Sequence, residues 1–259
     1  MAGGWVFPEV DAGYIGVLLR IFKMSLCQVL IALAKRVTPL YNTPMHATPF
    51  ETITVLDFET SGMSPDYGDR AIEIGAVKLR GGETIDSFQS LMNPGIRINS
   101  FIENYTGITN QMVQRAPQAS VVMREFARFI GNTPLVAHNA SFDRRFLDAE
   151  LDRIGQQRNQ DFGCSMLTAR RVFPDAPNHK LETLVRYRNL LSDGTFHRAL
   201  ADAEMTARLW VAMTEYLQES YGFEVISFAM MHDLAKVPKA QVGSYLFRKL
   251  HSQASQAVA

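Results

Sequence analysis

From Pro49 onward the chain alternates short apolar runs with stretches of helical period. Short apolar runs predict strands over residues 52–58, 71–79 and 84–91. The "RGGE" turn from Arg80 to Glu83 joins the last two as a hairpin. Further strands are predicted over 135–138 and 162–165. Apolar positions three and four apart predict helices over 120–130, 142–154, 181–187 and 199–217, with breaks between Pro174 and Pro177 and at Gly194. Strands in sequence, then helices and further strands, predict an α/β domain built on a mixed sheet flanked by helices. Beyond Gly222 the pattern supports one short helix over 227–236 and then a polar end.

The first 48 residues follow a different pattern. Residues 14–34, "YIGVLLRIFKMSLCQVLIALA", are strongly apolar, with Ile15, Leu18, Leu19, Phe22, Leu26, Val29, Leu30 and Leu33 at helical spacing. Arg20 and Lys23 interrupt the run, and each would cost about 2.5–3.5 kcal/mol at a bilayer centre, so stable membrane insertion is not expected. A charged leader before the run and a clean cleavage box after it are both missing, which argues against a secretory signal. Two readings follow: an appended packing helix or surface anchor, or a translational start at Met24 or Met45. The expected organisation is an appended segment over 1–48, one main domain over 49–220 and a tail over 221–259.

Composition narrows this picture little. The 259 residues suffice for one sizeable domain with appendages, and 47% apolar with 20% charged residues excludes disorder over most of the length. Lysine plus arginine equals aspartate plus glutamate at 26 each, so no global basic field points to nucleic acid, although a local groove can be basic on a neutral protein. Cys27 and Cys164 match no metal or redox spacing, which suits a reducing, cytoplasmic compartment.

The chemistry lies in three clusters. In "ITVLDFETSG", Asp57 and Glu59 stand two apart at the end of an apolar strand and therefore face the same way. Carboxyl ends of central strands are where open α/β sheets place ligands. In "LVAHNASFDRRFL", Asn139 and Ser141 are candidate helix caps and Asp143 falls in the first helical turn, where the helix dipole alone would favour an acid. Arg144 and Arg145 read as an exposed helix-start pair. In "FHRALADAEMTARLW", His197 precedes a helix that carries Asp202 early. Each residue has a structural explanation when taken alone. Four acids converging from three regions of one domain, with a histidine beside the last, fit hard divalent cations that take carboxylate oxygens. Two such ions could serve phosphodiester cleavage.

The order of "DFETSG", "HNASFDRRFL" and "HRALADA" resembles the three motifs of the DEDDh 3′–5′ exonuclease superfamily, a DnaQ-like branch of the ribonuclease H-like fold. "GDRAIEIGAVKL" and "TGITNQMV" between them also look like that family. The resemblance implies a ribonuclease H-like mixed sheet of about five strands and an exonuclease domain over 49–220. It implies two Mg2+ ions, replaceable by Mn2+, held by Asp57, Glu59, Asp143 and Asp202, with Asp57 bridging, Glu59 and Asp202 completing one site and Asp143 at the other. His197 would be the general base, a place that a tyrosine takes in the sister branch. Contacts to the terminal nucleotide would come from Thr60, Ser61, Gly62, Met63, Thr106, Asn139 and Phe142; Thr106 stands where family members often carry a histidine. The implied reaction is hydrolysis at the 3′ end of DNA, of proofreading or repair type, releasing nucleoside 5′-monophosphates. An exoribonuclease or oligoribonuclease, and a nucleic-acid-binding module of a polymerase assembly, are the alternatives. The implied partners are single-stranded or 3′-terminal nucleic acid and, in one variant, a DNA polymerase subunit.

Overall fold

The computed structural model describes residues 51–190 and 197–257. The apolar run over 14–34, Met24, Met45, Cys27 and the break at Gly194 lie outside these residues. The described chain builds a five-stranded sheet in the order β3-β2-β1-β4-β5. Strands β1 (Thr52–Thr60), β2 (Ala71–Arg80) and β3 (Glu83–Leu91) are antiparallel, whereas β4 (Leu135–Ala137) and β5 (Phe162–Cys164) run parallel to β1. The sheet is therefore mixed, as expected. At the β2–β3 hairpin, Gly81 and Gly82 both take positive φ, 60° and 86°, which the tight turn demands.

The period-2 pattern of β1 sorts its side chains between two helical layers. Ile53 and Val55 join Val77, Leu79 and Val136 in a core covered by α5 (Ser165–Val172), α7 (Ala199–Tyr221) and α8 (Phe228–Lys236). Leu56 and Phe58 face the opposite way, into a core with Ile74, Ala76 and Leu135 under α3 (Ala119–Ile130) and α4 (Ser141–Asp152). Each such Ile, Leu or Phe contributes about 1.5–3 kcal/mol by leaving water. Asp57 and Glu59 continue the first of these two rows, so the sheet aims both acids at the α7 layer.

A third, small cluster of Ile72, Ile98, Ile108 and Val113 seats α1 (Ser100–Thr106) and α2 (Asn110–Arg115) beside β2. Neither helix is predicted by apolar period, because both are short; side-chain caps define them. Asn99 accepts a bond from the Ile102 N–H and Thr109 one from the Met112 N–H. Two further helices exceed the expectation, α5 and the C-terminal α9 (Val242–Ala257), the latter in place of a polar end. Helix α6 (Leu181–Tyr187) has its predicted limits, and α8 starts one residue late because Ser227 is its cap, accepting from Met230 N–H.

His138, just after β4, ties three segments together. Its Nε2 donates to the His179 carbonyl and its Nδ1 pairs with the Ser165 hydroxyl, both at 2.9 Å. Burial holds its pKa down to about 4, which keeps the ring neutral at neutral pH.

Candidate active site

Strand β1 runs through its acids to Thr60 rather than stopping at Phe58, and this extension brings Asp57 and Glu59 to the centre of the sheet. Helix α7 starts above them and supplies Asp202 in its first turn. One carboxylate oxygen from each of Asp57, Glu59 and Asp202 lies within 4.8 Å of the others. Asp143 enters from α4 in the opposite layer. It is buried, and its Oδ1 accepts a 3.1 Å bond from the Phe58 N–H on β1. The expected caps of α4 are replaced by a different device: Ala140 occupies the cap position without a side-chain bond, and Asn139 takes a left-handed φ of 64°. A left-handed residue is a common place for asparagine, and here it turns the chain from β4 into α4.

Burial and mutual repulsion dominate the electrostatics. Glu59 is 8% exposed, and burial followed by the charges of Asp202, Glu73 and Asp143 pushes its carboxyl up to about 8, against the pull of Arg198. Asp202 is raised to about 6 by burial, offset by the bond from His197 N–H. Asp57 is held well above the usual carboxylate range by burial and then by Asp143, Asp202 and Glu59, and burial also raises Asp143. Acids gathered at such a cost call for a positive partner. The donor set is oxygen only, which fits a hard divalent cation and excludes a soft-metal site.

His197 is exposed and precedes the helix with a left-handed φ of 62°. Its N–H donates to Asp202 Oδ2 at 2.9 Å, so the residue proposed as base is tied to one of the acids. Its ring packs against Tyr105 of α1, and Phe101, one turn earlier, stacks on Tyr105. Both rings are exposed, 70% for Phe101 and 53% for Tyr105.

The remaining residues expected at the substrate occupy two kinds of position. Thr60 and Ser61 are buried loop-formers: the Thr60 hydroxyl donates to the Gly62 carbonyl at 2.6 Å, and the Ser61 hydroxyl oxygen accepts from Arg70 N–H at 2.9 Å. Gly62 is packed against the Asp69 carboxylate, where a Cβ would lie 2.3 Å from Oδ1. Met63 then projects into solvent at 74% exposure, and Arg145 donates to its carbonyl at 3.5 Å. Phe142 is part-buried against Phe146. Thr106 is buried, and its hydroxyl donates to Ile102 O and accepts from Ile108 N–H. The side chain that faces the acids from this helix is Tyr105. Sequence reasoning missed it, although Phe101 and Tyr105 stand four apart behind the Asn99 cap, the signal that could have revealed an aromatic helix face.

With this geometry in hand, comparison with known proteins is decisive. The RNase_T family model, described as "Exonuclease", matches residues 54–210. The chain belongs to this exonuclease family. This exonuclease is 38% identical over 185 residues to a DNA polymerase III PolC-type of Bacillus cereus, an alignment covering 71% of this chain and 13% of that protein. It therefore spans about an eighth of the length of that curated relative. Among solved structures, Exonuclease X in complex with 5′ overhanging duplex DNA matches at a TM-score of 0.57 and 26% identity, covering 71% of this exonuclease and 99% of that chain. The nuclease domain of 3′hExo, a DEDDh family member bound to rAMP, shares the fold at a TM-score of 0.57 and 22% identity, over 70% and 98% of the two chains. The ribonuclease H-like sheet and the DnaQ-like 3′–5′ exonuclease resemblance stand on these findings. Among the described residues no helix is long and apolar enough to cross a membrane.

Proposed function

We propose that this exonuclease removes nucleoside 5′-monophosphates from the 3′ end of DNA. The observation that carries the proposal is the convergence of Asp57, Glu59 and Asp202 oxygens within 4.8 Å, with His197 tethered to Asp202. Asp57, Glu59 and Asp202 would hold one Mg2+, and Asp57 with Asp143 a second, Mn2+ being able to replace either. Bound there, the ions would supply Lewis-acid activation of water and charge neutralisation at the leaving oxygen.

The chain's own residues do the rest. Imidazole is the side chain whose charge changes most readily around neutral pH, which suits a base that takes a proton and sheds it in each cycle. His197 accepts that proton as the water oxygen bonds to phosphorus. The bond from phosphorus to the 3′ oxygen breaks and that oxygen takes a proton from solvent, leaving a shortened chain with a 3′ hydroxyl and a free 5′-monophosphate, while His197 returns its proton to solvent. Tyr105 and Phe101 offer exposed aromatic surface beside His197, of the kind on which unpaired bases stack, and Met63 adds an exposed side chain on the loop after β1. Thr60, Ser61 and Gly62 shape the loop that carries Met63, and Asn139, Phe142 and Thr106 would complete the contacts to the terminal nucleotide. The complex of Exonuclease X with overhanging DNA and the PolC-type relatives support DNA as substrate and a polymerase as neighbour.

Digestion of matched 5′-labelled DNA and RNA oligonucleotides, with Mg2+ or with chelator, tests the reading. The expected result is a Mg2+-dependent ladder shortening from the 3′ end, faster on DNA. Faster cutting of RNA would move the enzyme to the ribonucleases, and products released from the 5′ end would overturn the proposal.

A further inference from the structure

Strand β2 belongs to the "AIEIGAVK" stretch, for which the catalytic reading above supplies no role. Its residues Glu73 and Gly75 face α7, opposite Glu59 and Asp57 in the β1–β2 register. Glu73 is fully buried, and its negative charge beside Glu59 and Asp202 is unfavourable for both. The carboxylate is nonetheless fully engaged. It accepts from Arg198 Nη2 at 2.8 Å, from Arg198 Nε at 3.1 Å, from Ala199 N–H at 3.2 Å and from Gln89 Nε2 at 3.0 Å. At Gly75 the helix start lies directly on the strand, and a Cβ there would sit 2.1 Å from Leu200 N. The amino end of α7 is thus pressed onto β2 at one residue and gripped at the next one inward.

His197 immediately precedes this grip and sits in a left-handed conformation, strained for a residue with a side chain. Such a backbone persists only when its surroundings over-determine it, and the two-pronged bond from Arg198 to a buried carboxylate does so. We propose that Glu73 and Arg198 are positioning residues whose fork on β2 fixes His197 for proton transfer. This rests on the reading of His197 as the general base. Placement of a reacting group matters because a misplacement of about 1 Å can cost roughly 100-fold in rate.

The test uses the full chain with Arg198→Lys, which keeps the charge and loses the fork, and Glu73→Gln, which keeps the shape and loses the charge. Single-turnover and steady-state cleavage of a 5′-labelled DNA oligonucleotide in Mg2+ should show kcat down by roughly 10- to 100-fold in each. KM should stay within about twofold, and the double variant should lose no more than either single one, as members of one unit do. The ring protons of His197, which lie against Tyr105, should shift in the NMR spectrum of both variants. If either single variant fails to fold, Glu73→Gln with Arg198→Gln, which leaves no buried charge unpaired, takes its place. Wild-type kcat in folded variants overturns the proposal. So does a raised KM in Arg198→Lys with Glu73→Gln silent, which would make Arg198 a substrate contact. If the wild-type chain cuts no oligonucleotide, the exonuclease reading on DNA and RNA fails, and the His197 ring signals alone decide: unmoved signals overturn the positioning role.

Discussion

The ring of Tyr105 lies 4.2 Å from the imidazole of His197, centroid to centroid, at a tilt of 40°. This contact joins α1, a helix seated by Ile102 and Ile108, to the start of α7, so the aromatic surface and the acids form one surface. Tyr105→Ala should therefore affect both binding and turnover. Loss of one stacking ring is worth about 1–3 kcal/mol, roughly a 5- to 150-fold rise in KM for single-stranded DNA. Phe101→Ala, one turn farther from His197, should raise KM while kcat holds. Steady-state kinetics on oligonucleotides with and without an unpaired 3′ end check both, and equal effects on blunt duplex and single strand would refute the stacking role.

His197→Ala should keep its cation-dependent stabilisation and lose about 10²- to 10⁴-fold in rate, the range for positioned proton transfer. Thermal melts with and without Mn2+ read the first quantity, and single-turnover cleavage at saturating Mg2+ reads the second. A variant with wild-type saturated rate would show that His197 only packs against α7.

Asp57 is held well above the usual carboxylate range by burial and by Asp143, Asp202 and Glu59. Asp57→Asn removes one of these like charges at nearly constant shape. In chelator the variant should melt higher than wild type, by a few degrees for about 1 kcal/mol in a domain of this size. The same variant should lose nearly all nuclease activity and most of the melting shift produced by Mn2+. Activity with unchanged Mg2+ dependence would remove Asp57 from the metal assignment.

The pH dependence of the cation-free protein follows from the raised acids Asp57, Glu59, Asp143 and Asp202, all of one sign, and from the lowered His138. Glu59 and Asp202 are raised to about 8 and about 6, so the folded state binds more protons than the unfolded one between their ordinary pKa values and those limits. Their stabilisation is full below about pH 4 and is lost as pH rises, at about 1.4 kcal/mol per pH unit for each group inside its window. His138 acts in the reverse sense: lowered to about 4, it contributes stability that is full above about pH 6.5 and lost as pH falls toward 4. The two trends oppose each other below about pH 6.5, and only the carboxylate loss remains above it. In chelator, urea midpoints should therefore fall from pH 6.5 to 8, and added Mg2+ should restore more stability at pH 8 than at pH 6. A midpoint that rises over that range would contradict the buried-acid account.

The strands were legible because β1 and β2 are short, largely apolar runs that face two different cores, and the long helices because their apolar stripes persist for three turns or more. The three acidic motifs could be read because each sits at a strand end or helix start that local pattern marks. What the chain does not show locally is contact. Glu73 and Arg198 stand 125 positions apart and meet only once α7 has settled on β2. Tyr105 reaches His197 because short α1, too small for a clear period, is oriented by Asn99 and by Ile72 on a distant strand. The α4 start was misread for a related reason: "NAS" offers two good capping side chains, yet the turn from β4 uses the left-handed backbone of Asn139 instead.

The four acids come from both sides of the sheet: Asp143 rides on the layer of α3 and α4, whereas Asp202 rides on the layer of α5, α7 and α8. A chain with one layer docked holds only part of the set, and a nascent chain lacks Asp202 until most of the domain has left the ribosome. On the proposed assignment of these four acids to the metal ions, cutting power would arrive last, as a property of the finished sandwich, and an unfinished molecule would spare the nucleic acid it meets.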